Sequence, residues 1–323
     1  MFPVFDIGSE SNFEELALTI FRYQFENNTC YRSFCDLLNV HHSDVTTIEE
    51  IPFLPIEFFK NHKIYNAENQ AQQVFFSSGT TGALRSQHQV ADIAVYEQSF
   101  RLAFQQFYGA VDDYVILALL PSYLEQKGSS LVYMIADLIQ KTKRDESGFF
   151  LDNNDALIRL LIQLNESNQK VLLIGVSYAL LDLIEKHQFS LTNTVIMETG
   201  GMKGRRRELT REELHQRLKK GYGVQEIHSE YGMTELLSQA YSKGGGRFHC
   251  PPWMKVFIRD AEDPLSLVEQ SRTGGINIVD LANYNSCSFI ATQDLGKVFK
   301  DDSFEVLGRF DHSDIRGCNL LIS

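Results

Sequence analysis

Ser77-Ser78-Gly79-Thr80-Thr81-Gly82 lies directly behind the apolar run Val74-Phe75-Phe76, so a strand is expected to end in a loop of hydroxyls and glycines. Such a loop has backbone N–H groups able to point one way. Its glycines permit close approach and its four hydroxyls add donors, a combination that suits the oxygens of a polyanion. The run equally fits an ordinary surface turn, where Ser, Thr and Gly gather for conformational reasons. It is not a P-loop, because the glycine spacing and the following Lys-Ser/Thr pair are absent.

A second segment, Tyr231-Gly232-Met233-Thr234-Glu235, follows another strand-like run at 225–228. Together the two segments resemble the adenylate-forming superfamily of acyl-CoA synthetases, luciferases and peptide-synthetase adenylation domains. The resemblance implies that Ser77, Ser78, Gly79, Thr80, Thr81 and Gly82 wrap the phosphates of ATP. It makes Thr234 the α-phosphate contact and Glu235 the Mg²⁺ ligand. Thr292-Gln293-Asp294 resembles the family's Thr-Gly-Asp, whose carboxylate holds the ribose hydroxyls. Gly308-Arg309-Phe310-Asp311, continuing to Ile315-Arg316-Gly317, resembles its hinge segment. With these matches in the family's order, the chain is identified as a member.

Composition excludes several other classes. With 323 residues, 43% of them hydrophobic, the chain can bury one large core or two moderate ones. A formal net charge of −12 argues against nucleic acid as the main partner. No apolar run reaches membrane-spanning length, and the N-terminus lacks a signal pattern. Five cysteines without regular spacing suit a reducing cytoplasm, and no Cys-x-x-Cys suggests zinc.

Along the chain, residues 1–72 read as a mostly helical segment packed on the core. Phe13, Leu16, Ala17, Ile20 and Phe21 recur at helical spacing, and the prolines of 51–55 hold that stretch extended. Residues 73–243 alternate strand-like runs (74–76, 114–120, 171–175, 194–198, 225–228) with amphipathic ones (92–107, 129–140, 154–165, 178–186, 210–219). That alternation predicts an α/β fold with a doubly wound sheet and flanking helices. Residues 244–323 turn to short β runs at 255–259, 275–279, 288–292, 297–299 and 304–307, a small sheet or partial barrel. The chain ends six residues after Gly317, where most family members continue into a mobile lid of roughly 100 residues. The expectation is therefore a chain without that lid, which places ordinary CoA-ligase activity in doubt.

Local features narrow the branch. Ile51-Pro52 with Leu54-Pro55 and Phe59-Lys60, Gly200-Gly201-Met202-Lys203-Gly204-Arg205, and Arg316-Gly317-Cys318 resemble phenylacetate-CoA ligases and, more closely, the acyl-protein synthetases of bacterial bioluminescence. Those enzymes activate a fatty acid with ATP, hold the acyl group on a cysteine of their own near the C-terminus, and pass it to an acyl reductase. The resemblance makes Cys318 the acceptor thiol, with Arg309 and Arg316 able to lower its pKa; a buried structural cysteine is the alternative. It places Gly200 and Gly201 against adenine with Glu230, Tyr231 and Gly232 beside them, and Arg309 against ribose or phosphate. Leu84-Arg85-Ser86 replaces the usual Pro-Lys-Gly, so Arg85 is either a phosphate ligand or a solvated arginine. Ser122, Tyr123 and His228 are acyl-pocket candidates or packing residues. Thr234 and Glu235 could also be the cap and first-turn acid of a following helix. Gln293 stands where the family has glycine and adds bulk near the sugar.

The expected activity is ATP- and Mg²⁺-dependent conversion of a carboxylic, fatty acid into an acyl-adenylate and its transfer to a protein or carrier thiol. An acyl reductase, an acyl-carrier protein or a separate lid subunit are the partners considered. Two other readings stand beside it. One is a degenerate, non-catalytic module that has kept the fold. The other is a serine hydrolase, since Gly175-Val176-Ser177-Tyr178-Ala179 nearly forms a nucleophile elbow with His228, His249 and His312 downstream.

Overall fold

The computed structural model describes residues 2–66, 70–78, 84–121, 128–200 and 209–310. The chain divides into two compact units: Gln72–Pro251, and the residues before Gln72 together with those after Pro251.

The Gln72–Pro251 unit is built on five parallel strands in the spatial order Gly148–Phe149, Val115–Leu119, Val171–Val176, Thr194–Thr199, His228–Tyr231. Antiparallel Ala240–Ser242 and Phe248–His249 extend that sheet. Val115–Leu119 and Val171–Val176 are buried at every residue, as continuous apolar runs covered on both faces should be. The chain steps outward from Val115–Leu119 to Gly148–Phe149, then returns to the other side of Val115–Leu119 and runs the opposite way. Such reversals are where open α/β sheets place ligands, beyond the carboxyl ends of the strands.

Helix limits in this unit follow capping chemistry. Asp92, Ser129 and Asn153 each accept a backbone N–H at the start of the next helix. Thr210 and Glu213 form a reciprocal capping box that opens Arg211–Tyr222. That helix stops at Gly223, whose φ of +70° and the Phe189 carbonyl 2.7 Å from any added Cβ both demand glycine. Gln73–Phe76 pairs with Gln87–Val90 as a two-stranded hairpin. The polar composition of Gln-His-Gln-Val hides its second strand from a hydrophobicity reading.

In the other unit, Met254–Arg259, Gly274–Asp280, Phe289–Val298 and Phe304–Arg309 form an antiparallel meander, with Leu54–Pro55 alongside Phe289–Val298. Helix Glu10–Asn27 buries Phe13, Ala17, Ile20 and Phe21. Its Gln24 amide donates to the carbonyls of Asn283 and Tyr284 and accepts from the Ser288 N–H. The helical N-terminal stretch thus shares a unit with the C-terminal strands. The runs expected at 288–292 and 297–299 are one strand, broken in pairing rather than in course. Its register shifts between Leu295 and Gly296, where an added Cβ would meet the Glu305 carbonyl at 2.4 Å. The strand expected at 225–228 falls later, at His228–Tyr231. Among the described residues no helix is long and apolar enough to cross a membrane.

The tight seam of the parallel sheet gives a stability prediction. A Cβ at Gly175 would lie 2.7 Å from Leu119 Cβ and 3.1 Å from Leu180 Cγ. Gly175→Ala is expected to lower unfolding free energy by about 1–3 kcal/mol in urea titrations; an unchanged midpoint would contradict this packing.

Candidate active site

The hairpin clamps the base of its own loop. Ser77 N–H donates to the Ser86 carbonyl at 3.1 Å, and Ser86 N–H returns a bond to Ser77 Oγ at 2.9 Å. These bonds extend the ladder by one step beyond Phe76 and Gln87. Arg85 donates from Nε to the Ser77 carbonyl at 2.5 Å and lies over the Phe76 ring at 5.6 Å. Its guanidinium is thereby held at the loop's base, and Ser78 is exposed. Gly79, Thr80, Thr81 and Gly82 lie outside the described residues.

Three chain turns share the carboxyl edge of the parallel sheet. Val176 runs into Ser177, Thr199 into Gly200, and Tyr231 into Gly232, at the ends of adjacent strands. An added Cβ at Gly232 would meet Glu230 Oε1 at 2.5 Å, so a side chain there would have to displace the Glu230 carboxylate. Residues 232–239 form turns that lead back antiparallel, tightened by Leu236 N–H to the Met233 carbonyl at 3.1 Å. Thr234 and Glu235 are therefore turn residues and do not open a helix, which removes the capping alternative. Glu235 is only 5% exposed. Across from this turn, His88 Nδ1 lies 2.8 Å from the Thr234 carbonyl. The strand that leaves the hydroxyl-rich loop therefore meets the Thr234–Glu235 turn within one unit.

Two buried acids occupy opposite faces of the sheet here. In the parallel register Glu198 pairs with Ser229, and Thr199 pairs with Glu230; residues so paired share a face and successive residues alternate. Burial alone would raise the Glu198 pKa. The His215 hydrogen bond, the charge of Arg211, the Ser229 hydroxyl and the His215 charge hold it below its ordinary value instead. His215 Nε2 lies 3.5 Å from Glu198 Oε1. Ser177 Oγ donates to the Gly200 carbonyl at 2.7 Å and lies 3.4 Å from Glu198 Oε2. At 2% exposure, with its proton directed at a carbonyl, Ser177 fixes the Gly200 turn and is not presented as a nucleophile.

Glu230, on the other face, accepts from Thr199 Oγ1 at 2.6 Å. Its pKa is pushed up to about 7, chiefly by burial, against the Thr199 bond and with help from the Glu198 charge. Half-buried His228 lies 3.2 Å from the Tyr108 hydroxyl. Burial and the Lys243 charge, opposed by Glu226, pull its pKa down to about 4, so it is neutral at pH 7.

In the unit containing the C-terminal strands, Asp294 is buried and Arg309 is its cross-strand partner. Arg309 Nε donates to Asp294 Oδ1 at 3.1 Å while its side chain remains 77% exposed. The Gln293 amide donates to the Glu57 carboxylate. Alternation along the strand therefore carries the extra bulk of Gln293 away from the Asp294 side chain. Arg259 supports this segment from below, donating to the Thr292 carbonyl at 2.5 Å and to the Ile276 carbonyl at 2.8 Å.

Ser122, Tyr123, Gly201, Asp311, Arg316 and Cys318 lie outside the described residues. The described cysteines Cys30, Cys35, Cys250 and Cys287 form no disulfide, and burial raises the Cys287 pKa, making it a poor nucleophile. Residues not anticipated from the sequence are His88, Glu198, Thr199 and His215. For the first of them, a lone histidine alternating with glutamines was the only signal.

Comparison with known proteins places these features. The family described as acyl-protein synthetase, LuxE, matches residues 8–323. The long-chain-fatty-acid–luciferin-component ligase of Aliivibrio fischeri is 23% identical over 344 aligned positions, covering 95% of this chain and 86% of that protein. Among solved structures, an open conformation of 2-hydroxyisobutyryl-CoA ligase, in complex with 2-HIB-AMP and CoA, aligns with TM-score 0.71 and 12% identity. That match covers 94% of this chain and 70% of the other. ATP-bound MatB from Rhodopseudomonas palustris aligns with TM-score 0.54 and 18% identity over 73% of this chain. The chain spans only about half of MatB, 47% of its length. At these identities the structural matches establish the α/β fold.

The Glu230 environment sets a pH dependence. An acid whose pKa rises from 4.5 to about 7 on folding binds more protons in the native state between those values. Its contribution is full below pH 4.5 and is lost as pH climbs through 7, by up to about 3 kcal/mol. His228 has the opposite sign, losing stability as pH falls from 6.5 through 4. Subtracting wild type from Glu230→Gln in chemical denaturation isolates the glutamate. The variant is expected to gain relative stability from pH 5 to pH 7.5, and parallel curves would rule out the raised pKa.

Proposed function

Because the chain belongs to the LuxE acyl-protein synthetase family, we propose that it is an acid–thiol ligase that uses ATP to activate a fatty acid and hands the acyl group to a thiol. The observation that carries this reading is the 2.8 Å approach of His88, on the strand leaving the hydroxyl-rich loop, to the Thr234 carbonyl. It brings the strand that leaves the loop against the Thr234–Glu235 turn. The name of the Aliivibrio relative supports a long-chain acid.

In this reading the carboxylate oxygen of the acid attacks the α-phosphorus of ATP. A new P–O bond forms while the bond to the bridging oxygen breaks, and pyrophosphate leaves with its electron pair. Ser77, Ser78, Gly79, Thr80, Thr81 and Gly82 cradle the phosphates. The Thr234 hydroxyl donates to the α-phosphate, and Arg85, held at the loop's base through Nε, offers its remaining guanidinium N–H groups to phosphate oxygens. Gly200 and Gly201, with Tyr231 and Gly232, line the adenine site. Asp294 accepts from the ribose hydroxyls, and Arg309 orients it. His228, with Ser122 and Tyr123, borders the acyl chain.

Magnesium fits the donor set at the turn. Glu235 is a single buried carboxylate beside the hydroxyl-bearing Thr234, a hard-oxygen arrangement that leaves the remaining ligands to phosphates and water. Among the described residues no three His, Cys, Asp or Glu side chains gather into an all-protein metal site. When bound, the cation withdraws charge from the phosphoryl oxygens.

In the second half-reaction the Cys318 thiolate attacks the carbonyl carbon of the acyl-adenylate. The acyl–oxygen bond breaks, AMP departs with the electron pair, and a thioester remains. An acyl reductase or an acyl-carrier protein is the proposed recipient, a separate subunit serving as lid is a further proposed partner, and the cytoplasm is the proposed compartment.

Glu235→Gln is expected to slow ATP–pyrophosphate exchange by about 100-fold or more without changing the melting temperature; exchange at the wild-type rate would refute the metal assignment. Cys318→Ser is expected to retain exchange yet lose hydroxylamine-sensitive labelling by radioactive fatty acid. Undiminished labelling of that variant would assign the acyl group to another residue.

A further inference from the structure

His88 belongs to neither of the two motifs, yet it links them. It is the second residue of Gln87–Val90, has no exposed surface, and sits opposite Phe75, also fully buried. A carbonyl oxygen can only accept, so the Nδ1 that lies 2.8 Å from the Thr234 carbonyl carries the proton. The bond spans 146 positions of sequence and ends on the peptide unit joining Thr234 to Glu235. Fixing that carbonyl fixes the plane from which the Glu235 main chain departs.

The turn is moored elsewhere as well. At its start, the Glu230 carboxylate lies against Gly232. Near its end, Ser238 Oγ lies 3.1 Å from Ser99 Oγ on helix Ile93–Tyr108. Neither involves the hairpin. On the hairpin side, the reciprocal Ser77–Ser86 bonds make the loop's base rigid with the strand that bears His88. An imidazole buried by its cross-strand neighbours has little rotamer freedom, so it transmits position well.

We propose that His88 is a positioning residue for the nucleotide. Its Nδ1–H, donated to the Thr234 carbonyl, sets the spacing between the hairpin at Ser77 and Ser86 and the Thr234–Glu235 turn, so that Thr234 and Glu235 are held for MgATP bound against the hairpin. The inference rests on the reading that these segments handle ATP. It adds that their spacing is set by a side chain from outside both motifs. His88 does not itself touch the reacting atoms.

Asparagine can present its Nδ2–H close to where the imidazole Nδ1–H stands, whereas leucine fills the volume without a donor and glutamine displaces its donor outward. Isothermal titration of MgATP into the full chain, with melting temperatures recorded without nucleotide, separates these cases. His88→Leu is expected to bind MgATP about tenfold more weakly, the equivalent of one buried hydrogen bond, and His88→Asn to recover most of that loss. Wild-type affinity in His88→Leu, or equal weakening in the Asn and Leu variants, would overturn the proposal. If His88→Leu does not fold, the Asn and Gln variants decide. Tighter binding by Asn than by Gln supports positioning through Nδ1, and equal binding refutes it. Wild-type protein that binds no MgATP would overturn the ATP reading itself, a result distinct from variants that bind alike.

Discussion

The buried hydrogen bond between His88 Nδ1 and the Thr234 carbonyl joins a hairpin to a turn that sequence holds far apart. It brings the strand that leaves the hydroxyl-rich loop against the acidic turn. That turn lies at the end of a sheet whose adjacent strands also deliver Ser177 and Gly200 to the same end. The parallel arrangement is what makes this possible. Strands that all run one way present all their carboxyl ends together, and short turns placed there meet in space regardless of their separation along the chain.

The same sheet separates two acids that would otherwise be nearly equivalent. Glu198 and Glu230 differ by one step in register and therefore by face. Glu198 is supplied with His215, Arg211 and Ser229, and keeps its charge in the interior. Glu230 receives one hydroxyl and the field of its neighbour, and sits near neutrality. The charged acid, with Ser177, steadies the Gly200 turn. The other lies against Gly232, where the next turn begins. Two carboxyls of one chemical type thus do different structural work because their surroundings stabilise different protonation states.

The alternating core was legible because a buried parallel strand is a run of apolar residues, and Val115–Leu119 and Val171–Val176 are such runs. The Thr234 and Glu235 pair stood out through its motif, but the motif did not tell a turn from a helix start. What escaped was polar and non-local. Gln87–Val90 is a strand by virtue of its partner Gln73–Phe76, since its own residues do not alternate in hydrophobicity. His88 acquires its role only when residue 234 is folded beside it. Ser177 looked like a nucleophile because strand–turn–helix geometry is common to many sites, and only its burial and its bond to the Gly200 carbonyl reveal a scaffold role. Gln293 looked like an obstruction because a sequence does not say which neighbour, here Glu57, will hold a long amide.

The central claim is that one nucleotide is gripped jointly by the loop at residues 77–86 and the turn at residues 231–235. Amide hydrogen exchange of the intact chain, followed by mass spectrometry with and without MgATP, tests it most directly. Simultaneous slowing of exchange in both segments, saturating at the same nucleotide concentration, is the predicted result. Protection confined to one of them, or none in either, would contradict it.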